Sequence, residues 1–244
     1  MNDFLLVSLI ASLAALLTYL GAPLAERYVL PQPVISAVLQ FAAGIIVAMV
    51  AISLMPPALL NGPLLPVVIA FFLGGAIFVL FEYFSTPKQS ASDPAATASP
   101  GSWGLYLGIL LDLFIDGVLI GVGSTLTLKT GLLLAIGLSL STLPLAYVTI
   151  ATARQRGMPR EQRRVLGFAL IGCMLLGAWL GFLVLGNLSE ALRLSLLALA
   201  SGFLVTMVTQ SLIPAANRDG EPGFAGILFV GGISIFTLLT LAFA

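Results

Sequence analysis

Two aspartates, Asp112 and Asp116, stand in the middle of an apolar run, residues 104–123 (GLYLGILLDLFIDGVLIGVG). At i and i+4 they project from one face of a helix. Ionisable side chains in hydrocarbon are expensive, and by default they mark functional sites. Two carboxylates in that geometry repel, and an apolar surrounding forces at least one to hold a proton unless a cation sits between them. The pair can therefore bind a cation, carry a proton, or exchange one for the other. Gly108, one turn earlier on the same face, leaves room for a neighbour or an ion. The plainer alternative is two protonated acids hydrogen-bonded to adjacent helices.

The next apolar run supplies oxygens: Ser139, Ser141, Thr142, then Tyr147 and Thr149. Pro144 lies among them and has no N–H, so the carbonyl of Leu140 loses its helical partner. A freed carbonyl beside the hydroxyls of Ser141 and Thr142 makes an oxygen site facing the aspartates. Hydroxyls and prolines also serve as ordinary glue and kinks between membrane helices. Gln210 sits late in a third apolar run, just before Ser211 and Pro214, and completes the set of expected ligands. Glu82 lies near the end of another run, where its carboxylate can snorkel to the interface, and it is not counted as a site residue.

The elements that must position these groups are membrane helices. The chain has 244 residues, 59% of them hydrophobic and only 8% charged, and its mean hydropathy is +1.13. A soluble domain carries about 25% charged residues, so this chain cannot cover a water-facing surface of its size. A span needs about 20 mostly apolar residues. Eight are expected, over 4–24, 34–56, 64–85, 103–127, 131–153, 166–187, 195–213 and 223–243, in a single transmembrane domain over 1–244. Pro and Gly punctuate them, as at Pro31–Pro33, Pro56–Pro57 and Asn61–Pro63. Residues 86–102 are small, polar and proline-bearing, and are expected to link the third and fourth helices flexibly.

Arg154, Arg156, Arg160, Arg163 and Arg164 cluster between the fifth and sixth spans. With eight spans, Arg27, Lys88 and Arg218 fall on the same side, and only Lys129 and Arg193 on the other. The positive-inside rule then makes the loop 154–165 cytoplasmic and both termini extracytoplasmic, in a plasma (inner) membrane. Met1-Asn2-Asp3 lacks a basic leader, so no cleavable signal peptide is expected.

Net charge is zero, which gives no case for nucleic acid as a partner. Histidine is absent and Cys173, the single cysteine, reads as a buried structural thiol. No phosphate loop, nucleophile–base pair or zinc-type Cys/His set is present, so no enzyme activity and no resident cofactor are expected. The expected partners are the lipid bilayer and a small cation or solute, and small-residue faces permit a homodimer.

An internal repeat orders the spans. Residues 41–58 (FAAGIIVAMVAISLMPPA) align without gaps to 199–216 (LASGFLVTMVTQSLIPAA), sharing Gly, Ser and Pro at matched places. The third and eighth spans extend the match, with FLGG at 72–75 set against FVGG at 229–232. The second and seventh spans cross in opposite senses, so spans 1–3 (4–85) and 6–8 (166–244) form an inverted repeat around the central pair (103–153). Such 3+2+3 symmetry is a transporter architecture, with the site where the repeats meet.

These residues resemble the ZIP family of divalent-metal transporters. DLFIDGVLIGVG at 112–123 is similar to that family's His-Asn-x-x-Asp-Gly helix, and STLPLA at 141–146, running into ARQRG at 153–157, to its His-Glu-x-Pro-Glu-Gly helix and basic exit loop. The 41–58 and 199–216 segments resemble its second and seventh helices. The resemblance implies eight helices, both termini outside and a flexible 3–4 loop. Asp116, Gly117 and Pro144 match its motifs. Asp112 and Leu113 stand in place of His and Asn, Ser141 and Thr142 in place of His and Glu, Leu145 in place of a second Glu, and Gln210 in place of an acid. What is left is an all-oxygen set, Asp112, Asp116, Ser141, Thr142 and Gln210, which suits a hard transported divalent cation such as Mg²⁺, Ca²⁺ or Mn²⁺ better than zinc. Two further readings stand beside it: a carrier of this fold for a proton-coupled or non-metal solute, and a membrane scaffold that transports nothing.

Overall fold

The computed structural model describes residues 2–85, 103–217 and 223–243. Within them eight helices are long and apolar enough to cross a membrane: α1 (Asp3–Arg27), α2 (Gln32–Asn61), α3 (Leu64–Phe84), α4 (Tyr106–Leu126), α5 (Leu128–Gln155), α6 (Arg160–Asn187), α7 (Glu190–Ala216) and α8 (Ala225–Ala242). The described residues form no strand. The expected linker 86–102, Lys88 and Arg218 lie outside them.

Several helices run past the ends read from hydropathy. α6 begins at Arg160 rather than 166, because the polar turn Arg160–Arg164 extends the helix beyond its apolar band. Local chemistry sets the breaks. The Thr127 hydroxyl accepts from the Thr130 N–H at 3.0 Å and caps α5. At the other end of α5, Met158 N–H reaches the Ala153 carbonyl and Gly157 N–H the Arg154 carbonyl, both at 3.0 Å. Gly157 has φ +74° there, the left-handed residue that this type of helix ending requires.

α5 is the most enclosed span, with 72% of its apolar window buried, whereas α8 has 17% and α3 22%. The outer helices α3, α6 and α8 turn Leu, Ile, Val and Phe outward, as lipid-facing helices do. Three helix pairs carry the closest packing: α4 with α6, α3 with α7 and α2 with α8. Glycines make each approach possible. A Cβ on Gly117 would strike the Met174 carbonyl, and one on Gly177 the Phe114 carbonyl. In the same way Gly44 meets Phe229 and Gly232 meets Phe41, while Gly202 meets Phe71 and Gly74 meets Leu199.

The last two crossings correspond residue for residue. Positions 41, 44, 71 and 74 pair with 199, 202, 229 and 232, a constant offset of 158. A wide π-helical turn follows in both halves, at Val50–Leu54 and Val208–Leu212, again 158 apart. Met55 N–H bonds the Val50 carbonyl in one and Ile213 N–H the Val208 carbonyl in the other. The next residue in each case is proline (Pro56, Pro214). Its missing N–H and its ring disfavour the regular turn before it, which accounts for the widening. The shared offset sets Gly74 against Gly232, so the alignment of 72–75 with 229–232 is one residue out of register.

Polar contacts sort the loops into two ends. At one, the Arg163 guanidinium donates to both Glu26 oxygens (Nε–Oε1 2.5 Å, Nη2–Oε2 2.9 Å). There too, Arg154 donates to the carbonyls of Ala25 and Glu26. The Ser36 hydroxyl donates to the Ala216 carbonyl, and the Gln40 amide to Asn217 at 2.9 Å. At the opposite end Arg193 donates to the Thr125 hydroxyl at 3.2 Å. The α1–α2 and α5–α6 connections and the end of α7 thus share one side, and the α4–α5 and α6–α7 connections the other. Arg163→Ala should lower stability by about 1 kcal/mol, since the pair is two-pronged but near water. A fall of a few degrees in the thermal midpoint in detergent checks this.

Candidate functional site

The aspartates occupy the interior of the bundle at mid-span. Asp116 is ten residues before the end of α4, about 15 Å along its axis. Asp112 is 5% exposed and Asp116 1%. None of their four carboxylate oxygens has a hydrogen-bond partner among the described residues. An ionised carboxylate buried without a partner costs several kcal/mol. An ionised pair here calls for a compensating positive charge, whereas a protonated pair does not.

Helix register decides what stands opposite. Gly123 of α4 meets Leu134 of α5, and Ser124 meets Gly131. Followed two turns inward along these antiparallel helices, that register brings Asp116 level with Ser139–Ser141, and Asp112 level with the Pro144 turn. Ser139, Ser141 and Thr142 are all buried. Their protons are already committed: Ser139 to the Ala135 carbonyl (2.5 Å), Ser141 to Leu138 (2.9 Å) and Thr142 to Leu138 (2.7 Å). The Thr142 oxygen also lies 2.9 Å from the Thr18 oxygen of α1. These hydroxyls sit at the carboxylates' depth, with lone pairs still free, but none donates to an aspartate.

Three expectations change. Gln210 is exposed on α7, so it does not join the buried set. It lies inside the π-helical turn Val208–Leu212, and the wider turn carries Thr209 and Gln210 to the outer surface. Leu140, whose carbonyl Pro144 frees, is 41% exposed and lies off the buried Ser141–Thr142 face. Cys173 is half-buried rather than buried.

Sequence reasoning passed over Thr18, whose only signal is a hydroxyl in an Ala/Leu-rich helix. It also passed over Ser53, a buried hydroxyl without a partner in the π-helical turn of α2. Its Ser-Leu-x-Pro context, shared with Ser211, was visible.

No three His, Cys, Asp or Glu residues converge among the described residues. A polar pocket of about 500 Å³ opens at the α4–α5 end, lined by Asp3, Ser124, Thr125, Asn187 and Arg193 among others. Ser124 stands on the stripe that continues through Ile120 to Asp116, and Ile120 is fully buried. A second cavity of about 250 Å³ is lined by Ile77, Phe114, Val118 and other apolar groups, and offers nothing to a polar solute. Compared with family models and with curated proteins, the chain matches none.

Proposed function

We propose that this membrane protein is a ZIP-like transporter that passes a hard divalent cation between Asp112 and Asp116. The observation that carries the reading is the four unpartnered carboxylate oxygens buried at mid-membrane. A hydrated or ion-bound passage is the ordinary reason for such a cost. The oxygens of Ser139, Ser141 and Thr142 lie at the same depth, and in this reading they would supply further oxygen ligands of the kind hard cations take.

In this reading α1–α3 and α6–α8 form an inverted repeat around α4–α5. Its support is the constant offset of 158 at the glycine crossings and π-helical turns, together with the opposite senses in which α2 and α7 cross. The arginine-rich end is cytoplasmic and both termini lie outside, in a plasma membrane. Alternating access then moves the repeats against the central pair.

The test is Mn²⁺ entry into proteoliposomes, followed with a trapped indicator. Saturable entry, absent from protein-free vesicles, is the expected result. One observation favours a second reading: among the described residues no third acid joins the pair. A proton-coupled carrier needs only two. Calorimetry without saturable Mn²⁺ binding, alongside a proton flux that Asp112→Asn stops, would select it.

A further inference from the structure

We infer that Glu82 is a third carboxylate station on the path, between Asp112 and the arginine-rich end, and that it holds the same cation or proton there. The inference rests on the proposed transport reading and extends it beyond α4 and α5.

Three observations locate Glu82. The first is its stripe on α3. Gly74, Phe78 and Glu82 follow one another at i+4 spacing. Gly74 lies against Leu199 of α7, and the Phe78 ring meets Phe203 edge-on at 5.0 Å. Glu82 is the next residue down this seam, facing α7 rather than lipid. The second is its contact: the Ser211 hydroxyl, in the π-helical turn of α7, points to Glu82 Oε1 at 3.5 Å. Thr209 and Gln210 open on the outer surface of the same turn. An apolar, glycine-lined seam thus becomes polar where the carboxylate stands.

The third is its relation to Asp112. A Cβ on Gly108 would touch the Phe81 ring at 3.4 Å, and Ile77 shares a cavity with Phe114 and Ile115. The Gly108–Phe81 contact sets an antiparallel register between α3 and α4, and the shared cavity lies further along the same pair of helices. Gly108 and Asp112 share one stripe of α4, so Asp112 is one turn along from a position that faces α3. By that register Glu82 stands about one helical turn below Asp112. Asp116, Asp112 and Glu82 then form a descending series with steps of about one turn. The Asp112 oxygens, buried and unpartnered, are its middle member.

A carboxylate in this position has a job that an end-snorkelling one lacks. Moving a cation from a buried pair straight to water means crossing apolar wall. A negative group one turn away divides that step, which is how multi-site conduction keeps each move shallow. The partial exposure of Glu82 suits a station that meets water on one side and the pair on the other.

The test uses proteoliposomes sorted for one orientation, with Mn²⁺ presented to either end and internal pH recorded in parallel. Glu82→Gln keeps the shape and removes the charge. The half-saturating Mn²⁺ (or proton) concentration should rise about tenfold from the arginine-rich end and stay within about twofold from the other. Glu82→Asp should recover part of the loss. Ser211→Ala, which leaves the carboxylate in place, should produce a smaller shift of the same sidedness. Unchanged half-saturation from both ends, or an equal loss from both, overturns the station while leaving the Asp112–Asp116 site standing. Wild-type protein that carries neither Mn²⁺ nor protons overturns both.

Discussion

Asp116→Asn should cut Mn²⁺ entry about a hundredfold, roughly 3 kcal/mol of lost stabilisation, without unfolding the protein. The two halves of that expectation have separate causes. Removing one of two carboxylates takes away half of the negative charge that would offset the cation's lost hydration, and no other acid among the described residues joins the pair to compensate. The fold does not need the charge, because the Asp116 oxygens have no hydrogen-bond partner among the described residues. Trading an unpartnered buried acid for a neutral amide of the same shape should leave stability unchanged or raise it. Entry is read from a trapped indicator, and integrity from the thermal midpoint in detergent. Full entry by Asp116→Asn would remove the aspartate pair from the path. A collapsed midpoint would mean that the carboxyl supports the fold instead.

The second large effect concerns structure. Gly202→Val should prevent a stable bundle from forming, because its Cβ would fall on the Phe71 carbonyl with the Gly75 backbone 3.2 Å away. Backbone cannot step aside as a side-chain tip can. α3 and α7 would have to separate along the whole seam, at a cost above the 1–3 kcal/mol typical of overpacking. Gly44→Val should act alike against Phe229. Gly172 supplies the contrast: nothing lies within 4 Å of its would-be Cβ. Gly172→Ala should leave the protein intact and add about 0.5–1 kcal/mol through better helix propensity. Monodispersity after extraction and the thermal midpoint distinguish the cases. A stable Gly202→Val bundle would contradict the close approach of α3 and α7.

The spans were legible because a bilayer imposes its length on the chain: each apolar run had to be about as long as the hydrocarbon is thick. Their ends were not, since Arg160–Arg164 and Glu190–Leu194 continue as helix in a region that hydropathy does not report. Asp112 and Asp116 were legible as buried because charge in the middle of a span has few alternatives. The rest of the set required knowing which way each helix faces. Ser139, Ser141 and Thr142 could be placed at the aspartates' depth only through the contacts of Gly123 and Ser124 with α5. Gln210 was misjudged because a π-helical turn breaks the 3.6-residue count that assigns a face. Glu82 was set aside for a related reason. Sequence position placed it near a helix end, but the stripe from Gly74 through Phe78 is what turns it toward α7.

The two glycine crossings join partners from opposite ends of the chain, α2 with α8 and α3 with α7. The halves are therefore threaded through one another, and neither can close its own surface. During synthesis the groove around Gly44 must wait, open to lipid, until α8 is inserted. A transcript truncated before Ala225 would yield a product with every acid of the site and no finished wall, suited to membrane quality control rather than to service.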